Sequence, residues 1–190
     1  MPARQGISIG RPPTKAAAAT DALCYRLALI SNQADGMTND TLSLRRWNMK
    51  TSARNQFFGK ISALKKGAVN DEIQLETAEG HRLTAIITRE SSEDLGLRAG
   101  GEAFALIKAS WIIIVSEDQN VRFSARNRMT GQISRLQPGA VNTEVVVALE
   151  GGGSIAAIVT NESARTLELA EGGRVSAIFK ASSVIIGATA

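Results

Sequence analysis

Histidine and cysteine are almost missing from this chain, whose 190 residues hold one of each, His81 and Cys24. A single thiol excludes an intrachain disulfide and any multi-thiolate metal site. With one imidazole, catalytic candidates are scarce. Aromatic residues make up only 4% of the chain, while Ala, Gly, Ile and Val are abundant. That balance points to small strand-rich units rather than one thick core. No apolar run approaches the roughly 20 residues that cross a bilayer. The first residues lack the continuous apolar core of a signal peptide, so the expectation is a cytoplasmic protein with no membrane partner.

Charge is unevenly placed. Residues 1–50 carry seven basic residues (Arg4, Arg11, Lys15, Arg26, Arg45, Arg46, Lys50) against Asp21, Asp35 and Asp40. The remainder holds fifteen of each sign, so the net charge of +4 belongs to the N-terminal segment. Three readings fit that segment: a solvated leader, a nucleic-acid contact, or an organellar transit peptide. Residues 1–14, with two adjacent prolines and little apolar periodicity, read as disordered. Leu23, Leu27 and Ile30 share one face of a helix predicted from Lys15 to Ser31, with Cys24 read as core. Asp35-Gly36 marks a turn, and Thr41–Lys50 suits a second short helix anchored by Trp47. These two elements fall short of a helix–turn–helix domain, which needs a supporting third helix or wing.

What the chain has in quantity is itself, twice. Ser52–Asn55 (SARN) returns as Ser124–Asn127, an offset of 72 that then holds without a gap. Gly67–Asn70 recurs as Gly139–Asn142, Gly100-Gly101 as Gly172-Gly173, and Lys108-Ala109-Ser110 as Lys180-Ala181-Ser182. Roughly 29 of about 65 aligned positions are identical, the mark of a tandem duplication. The domain reading is a basic leader over 1–50, one unit over 51–120 and a second over 121–190.

Each unit reads as five strands and one short helix. Residues 55–66 form a first strand, with a bulge or bend expected at Gly59. Glu72–Thr77 and His81–Ile86 alternate around a turn at Glu79-Gly80. Thr88 or Ser91 caps a short helix ending near Gly96. Glu102–Lys108 and Trp111–Val115 complete the set. The second copy repeats it at 132–136, 144–149, 154–159, 162–169, 174–180 and 183–186. The predicted fold class is mostly β: two tandem OB-like five-stranded barrels preceded by a short helical segment.

Catalytic machinery is not evident. His81 reads as an exposed turn residue, and its counterpart in the second copy is Gly153. Gly151–Gly153 lies in a predicted hairpin rather than between a strand and a helix, so it is not a phosphate loop. Glu72, Glu144, Glu90 and Glu162 read as exposed strand or cap residues. What both copies keep is cationic and hydroxylic: Ser52 and Arg54 with Ser124 and Arg126, Thr88 with Thr160, Lys108 with Lys180. An arginine fork, an ammonium, hydroxyls and backbone N–H groups are the donors that hold a small oxyanion. Thr88 and Thr160 also stand at predicted helix starts, where the dipole favours an anion. The alternative is that both motifs are structural corners with solvated charges.

SARNQFFGKI, the GAV turn, the threonine closing the third strand, LGL and the KAS-W run together resemble the molbindin, or Mop, domain. Two in tandem resemble the di-Mop molybdate-binding proteins and the C-terminal half of the molybdate-responsive transcriptional regulator. The resemblance covers about 140 residues. It implies paired OB-like barrels, a homo-oligomer (dimer or trimer), no enzyme activity, and molybdate or tungstate bound where Mop units meet. By motif, Ser52 and Arg54 of one unit would join Thr88, Lys108 and the Ala109 N–H of a neighbour. Ser124, Arg126, Thr160, Lys180 and Ala181 would repeat those roles, with no side chain ligating the metal directly. The leading expectation is molybdate storage, homeostasis or sensing. The alternative is a regulator with a shortened DNA-binding region that retains DNA contact.

Overall fold

The computed structural model describes residues 50–116 and 121–188. The leader, both predicted N-terminal helices, Cys24 and Trp47 lie outside the described residues. Residues 50–190 belong to one compact unit.

The first repeat contributes β1 (Asn55–Lys65), β2 (Asn70–Thr77), β3 (Arg82–Thr88), α1 (Arg89–Asp94), β4 (Glu102–Ile107), a 3-10 turn (Ala109–Trp111) and β5 (Ile113–Ser116). The second contributes β6 (Asn127–Pro138), β7 (Asn142–Leu149), β8 (Ser154–Thr160), α2 (Asn161–Thr166), β9 (Arg174–Phe179), a second 3-10 turn (Ala181–Ser183) and β10 (Ile185–Gly187). Alternation decides which face is buried. In β2 Ile73, Leu75 and Thr77 point inward between Glu72, Gln74 and Glu76, and Val145, Val147 and Leu149 do so in β7. Thr88 and Thr160 cap the two helices, their hydroxyls accepting from the N–H of Ser91 and Ser163 at 3.1 and 3.0 Å.

All pairings are antiparallel, in the orders β10-β4-β1-β2-β3 and β5-β9-β6-β7-β8. Each sheet has five strands as expected, yet only four come from one repeat. The fifth is exchanged: Ile186 pairs with Ala105 of the first repeat, and Ile114 with Ala177 of the second. The edges β10 and β3 approach one another, as do β5 and β8, so each sheet curls towards closure. Buried side chains of both repeats, from Phe57 to Ile186, form one continuous core.

The bend expected at Gly59 is corrected by the register. Pairing runs unbroken through Gly59–Thr77 and slips between Ile61 and Ala63, so the bulge residue is Ser62. Ser134 is its counterpart, between Ile133 and Arg135. Gly59 and Gly131 serve close approach instead: a Cβ there would run into the carbonyl oxygen of Glu76 or Ala148.

Candidate functional site

The SARN motif ends in a buried asparagine that joins the repeats. Asn55 donates to the carbonyls of Ile107 (3.2 Å) and Ala156 (2.9 Å) and accepts from the Ala156 N–H (2.7 Å). Its amide thus acts as one more backbone link on the edge of β8. Asn127 does the same to β3, exchanging bonds with the N–H and carbonyl of Thr84 at 2.7 and 2.8 Å. A side chain that offers both a donor and an acceptor is what this position needs.

Anchored this way, the preceding arginine reaches across the repeat boundary. Arg126 makes a two-pronged bond to Glu72, at 3.2 and 2.9 Å, and Arg54 pairs with Glu144. Glu72 and Glu144 are therefore not the exposed residues the sequence suggested. Their side chains are 24% and 12% exposed, and each fixes an arginine from the other copy. Nothing in the local sequence of either glutamate announces this, because the partner lies about fifty or more residues away.

Asn55 also pairs with Ile107 and Asn127 with Phe179, the last residues of β4 and β9. Arg54 and Lys108 therefore leave the same end of one sheet, as do Arg126 and Lys180. After each lysine the chain makes its 3-10 turn. Ala109 and Ala181 are buried first residues of these turns, positions whose N–H has no acceptor within the turn. Lys108 and Lys180 are exposed and form no ion pair among the described residues.

The first 3-10 turn packs on β8, the strand ending in Thr160, and the second on β3, ending in Thr88. The fold thus brings Arg54, Lys108 and Ala109 to the β8 side, and Arg126, Lys180 and Ala181 to the β3 side. It does not bring Lys108 against the third strand of its own repeat. Ser52 and Ser124 are exposed, two residues before their arginines. The hydroxyls of Thr88 and Thr160 are already engaged, each lying beside that of Ser91 or Ser163 (2.7 and 2.8 Å).

His81 departs from its expected role as a free turn residue. It is half-buried, and its Nε2 lies 2.7 Å from the Gly152 carbonyl, tying one hairpin tip to the other. Asp71 is another residue missed in the sequence. Buried beneath α1, it accepts from the Gly67 N–H at 3.1 Å. That bond holds its carboxyl below the ordinary range against the cost of burial, helped by the Ser92 hydroxyl and the charges of Arg89 and Lys66.

The sequence profile of the TOBE domain matches residues 51–114 and 124–186. The chain belongs to the TOBE domain family. Its two TOBE units are of the Mop type. The molybdenum-pterin-binding protein MopA of Rhodobacter capsulatus is 44% identical over 138 residues, covering 73% of this chain and 52% of MopA. The DNA-binding transcriptional dual regulator ModE of Escherichia coli K12 is 39% identical over 145 residues, 76% of this chain and 54% of ModE. This TOBE protein thus spans about half the length of the curated relatives it matches. The crystal structure of the cytoplasmic molybdate-binding protein ModG with molybdate bound superposes with a TM-score of 0.72 at 45% identity. That match covers 74% of this chain and all of ModG.

Proposed function

We propose that this protein binds molybdate in two composite sites per chain, each assembled from both repeats, without catalysing a reaction. One set is Ser52, Arg54, Lys108 and the Ala109 N–H with Thr160. The other is Ser124, Arg126, Lys180 and the Ala181 N–H with Thr88. The observation that carries this reading is the reciprocal crossing of the two repeats. Arg54 and Arg126 are each braced by a glutamate of the opposite copy, beside a lysine with no ion pair among the described residues. Preset donors around unpaired positive charge suit a tetrahedral dianion. The bracing glutamates leave each guanidinium with N–H groups to spare, because arginine has five. The similarity to ModG and MopA supports molybdate as that anion.

The paired apolar residues Val69 with Val141 and Ile113 with Ile185 are exposed in both repeats. They support self-association into a homo-oligomer, with neighbouring chains close to the sites. The reading extends to molybdenum storage or homeostasis, and the similarity to the cytoplasmic protein ModG supports a cytoplasmic setting. Equilibrium dialysis against molybdate, with sulfate as competitor, tests the reading. Saturable molybdate uptake that excess sulfate does not displace is expected, and equal displacement by sulfate would refute it.

One observation favours a regulatory role in its place. The match to the transcriptional regulator ModE of Yersinia pestis covers 84% of this chain, more than the two repeats alone. A gel shift with steep salt dependence and sequence preference would support that reading.

A further inference from the structure

The two repeats differ where β1 meets β4 and where β6 meets β9, and an open pocket lined by both repeats lies beside the second of these places. In the first repeat Phe58 on β1 faces Phe104 on β4 across the ladder, ring centroids 6.1 Å apart. The same two positions in the second repeat are Thr130 and Ser176, also cross-strand partners. Two rings are replaced by two hydroxyls, 2.9 Å apart, with Ser176 fully buried. Beside them a cavity of about 400 Å³ opens, lined by Gly80, His81, Arg82, Arg128, Met129, Thr130 and Glu150.

The lining is basic in a way its symmetry mate is not. Arg128 corresponds to Gln56, Arg82 to Ser154 and His81 to Gly153, so every basic member is particular to this side. Arg128 donates from Nε to Ser176 Oγ at 3.0 Å, which fixes its guanidinium at the cavity. Its terminal nitrogens make no hydrogen bond among the described residues. Arg82 is held only loosely, 3.6 Å from Glu76, and Glu150 is already paired with Arg174 at 2.6 Å. Thr130 adds a hydroxyl, while the side chain of Met129, between Arg128 and Thr130 on β6, turns the other way into the core. The His81 contact to Gly152 closes the hairpin side.

We infer that this pocket is a further, unduplicated binding site for a small organic anion, its phosphate or carboxylate group held by Arg128 and Arg82. The volume exceeds a single water's share of about 30 Å³ by an order of magnitude, leaving room for an organic body between the arginines and the His81 hairpin. A bare oxyanion would fill only a small part of it. The site is separate from the molybdate sets, none of whose residues line it.

The test is calorimetric titration of the full chain, saturated with molybdate throughout, using glycerol 3-phosphate, citrate and inorganic phosphate as probes. The variants are Arg128→Gln, which installs the first repeat's residue, and Thr130→Phe with Ser176→Phe, which refills the space. Saturable binding of glycerol 3-phosphate or citrate, tighter than inorganic phosphate, is expected. It should weaken about tenfold or more in Arg128→Gln and vanish in the double variant, and the tighter probe identifies the anionic group. Arg128 is exposed, so its variant carries the test if the double variant does not fold. Absence of saturable binding, binding unchanged in Arg128→Gln, or inorganic phosphate binding as tightly as both organic probes would overturn the inference. Molybdate uptake, measured on the same samples, should be unchanged in Arg128→Gln. A failure of molybdate uptake in the wild-type chain would count against the proposed function and leave the cavity test standing.

Discussion

In the first repeat a phenylalanine pair fills the face between β1 and β4; in the second, a threonine and a buried serine stand there under Arg128, beside a pocket that Arg82 also lines. Elsewhere the copies hold to one plan. The buried asparagines, the crossing arginines, the close-approach glycines and the capping threonines all recur at the same offset. Among the parts kept twice, the asparagines and arginines reach into the other repeat. Among the parts that drifted are the Phe58–Phe104 pair and the hairpin tip at His81. Duplication has therefore preserved the joint between the copies while freeing the surfaces beside it.

Cutting the comparison in two should have the largest effect. Each sheet borrows its fifth strand, and the core is continuous across both repeats. Residues 51–120 alone would expose a sheet edge and half a core, which costs more than a small domain's whole stability. Sedimentation and circular dichroism should find that fragment unfolded or paired with a second copy. A folded monomer would show that the exchange is dispensable.

Next in size is the asparagine joint. Asn55→Ala removes three hydrogen bonds and leaves buried backbone groups unpaired, a loss of about 3 kcal/mol in denaturant unfolding. Asn127→Ala, which cuts the bonds to Thr84, should cost about as much. A large effect in one copy only would break the symmetry argued above.

A smaller asymmetry sits after each helix. Gly96 has φ +59°, and its counterpart Glu168 holds φ +50° with a side chain that disfavours this region. Glu168→Gly should stabilise the chain by about 1 kcal/mol, visible as a higher melting temperature. No gain would mean that the Glu168 side chain offsets its own strain.

The last difference is present at neutral pH and fades in acid. Asp71 has a depressed pKa, while its counterpart Thr143 cannot titrate and bonds to Asn161 at 2.7 Å. A depressed carboxyl stabilises the fold above its unfolded pKa of about 3.9 and ceases to do so as pH falls through the lower folded value. Stability should therefore fall on acidification through that window, and less steeply in Asp71→Thr. Identical pH profiles would remove Asp71 from the account.

Much of this fold was legible in the sequence because alternation fixes faces. Ile73 and Leu75 between polar neighbours read as a half-buried strand, and of the two candidate caps, Thr88 and Ser91, Thr88 starts the helix. The strand exchange was not legible, for a reason built into the duplication. Ile113-Ile114 and Ile185-Ile186 are the same pair, so either could lie on either β4-like strand without a change in pattern. Which copy a strand joins is set by the direction of the chain after the 3-10 turn. The cationic set was legible as residue types in duplicate. Its bracing was not, since Glu72 and Glu144 acquire their meaning only when the other repeat arrives. Likewise Gly59 announced an irregular backbone, but the slip falls at Ser62, because the glycine answers a carbonyl on the facing strand.

The central claim is that each molybdate set draws on both repeats and that a chain holds two. Counting molybdate per chain by native mass spectrometry, for wild type, Arg54→Ala and Arg126→Ala, tests it most directly. Two per chain should fall to one in each variant, since losing such a charged contact costs about 2–5 kcal/mol. A count of one in the wild type, or two retained in either variant, would contradict the account.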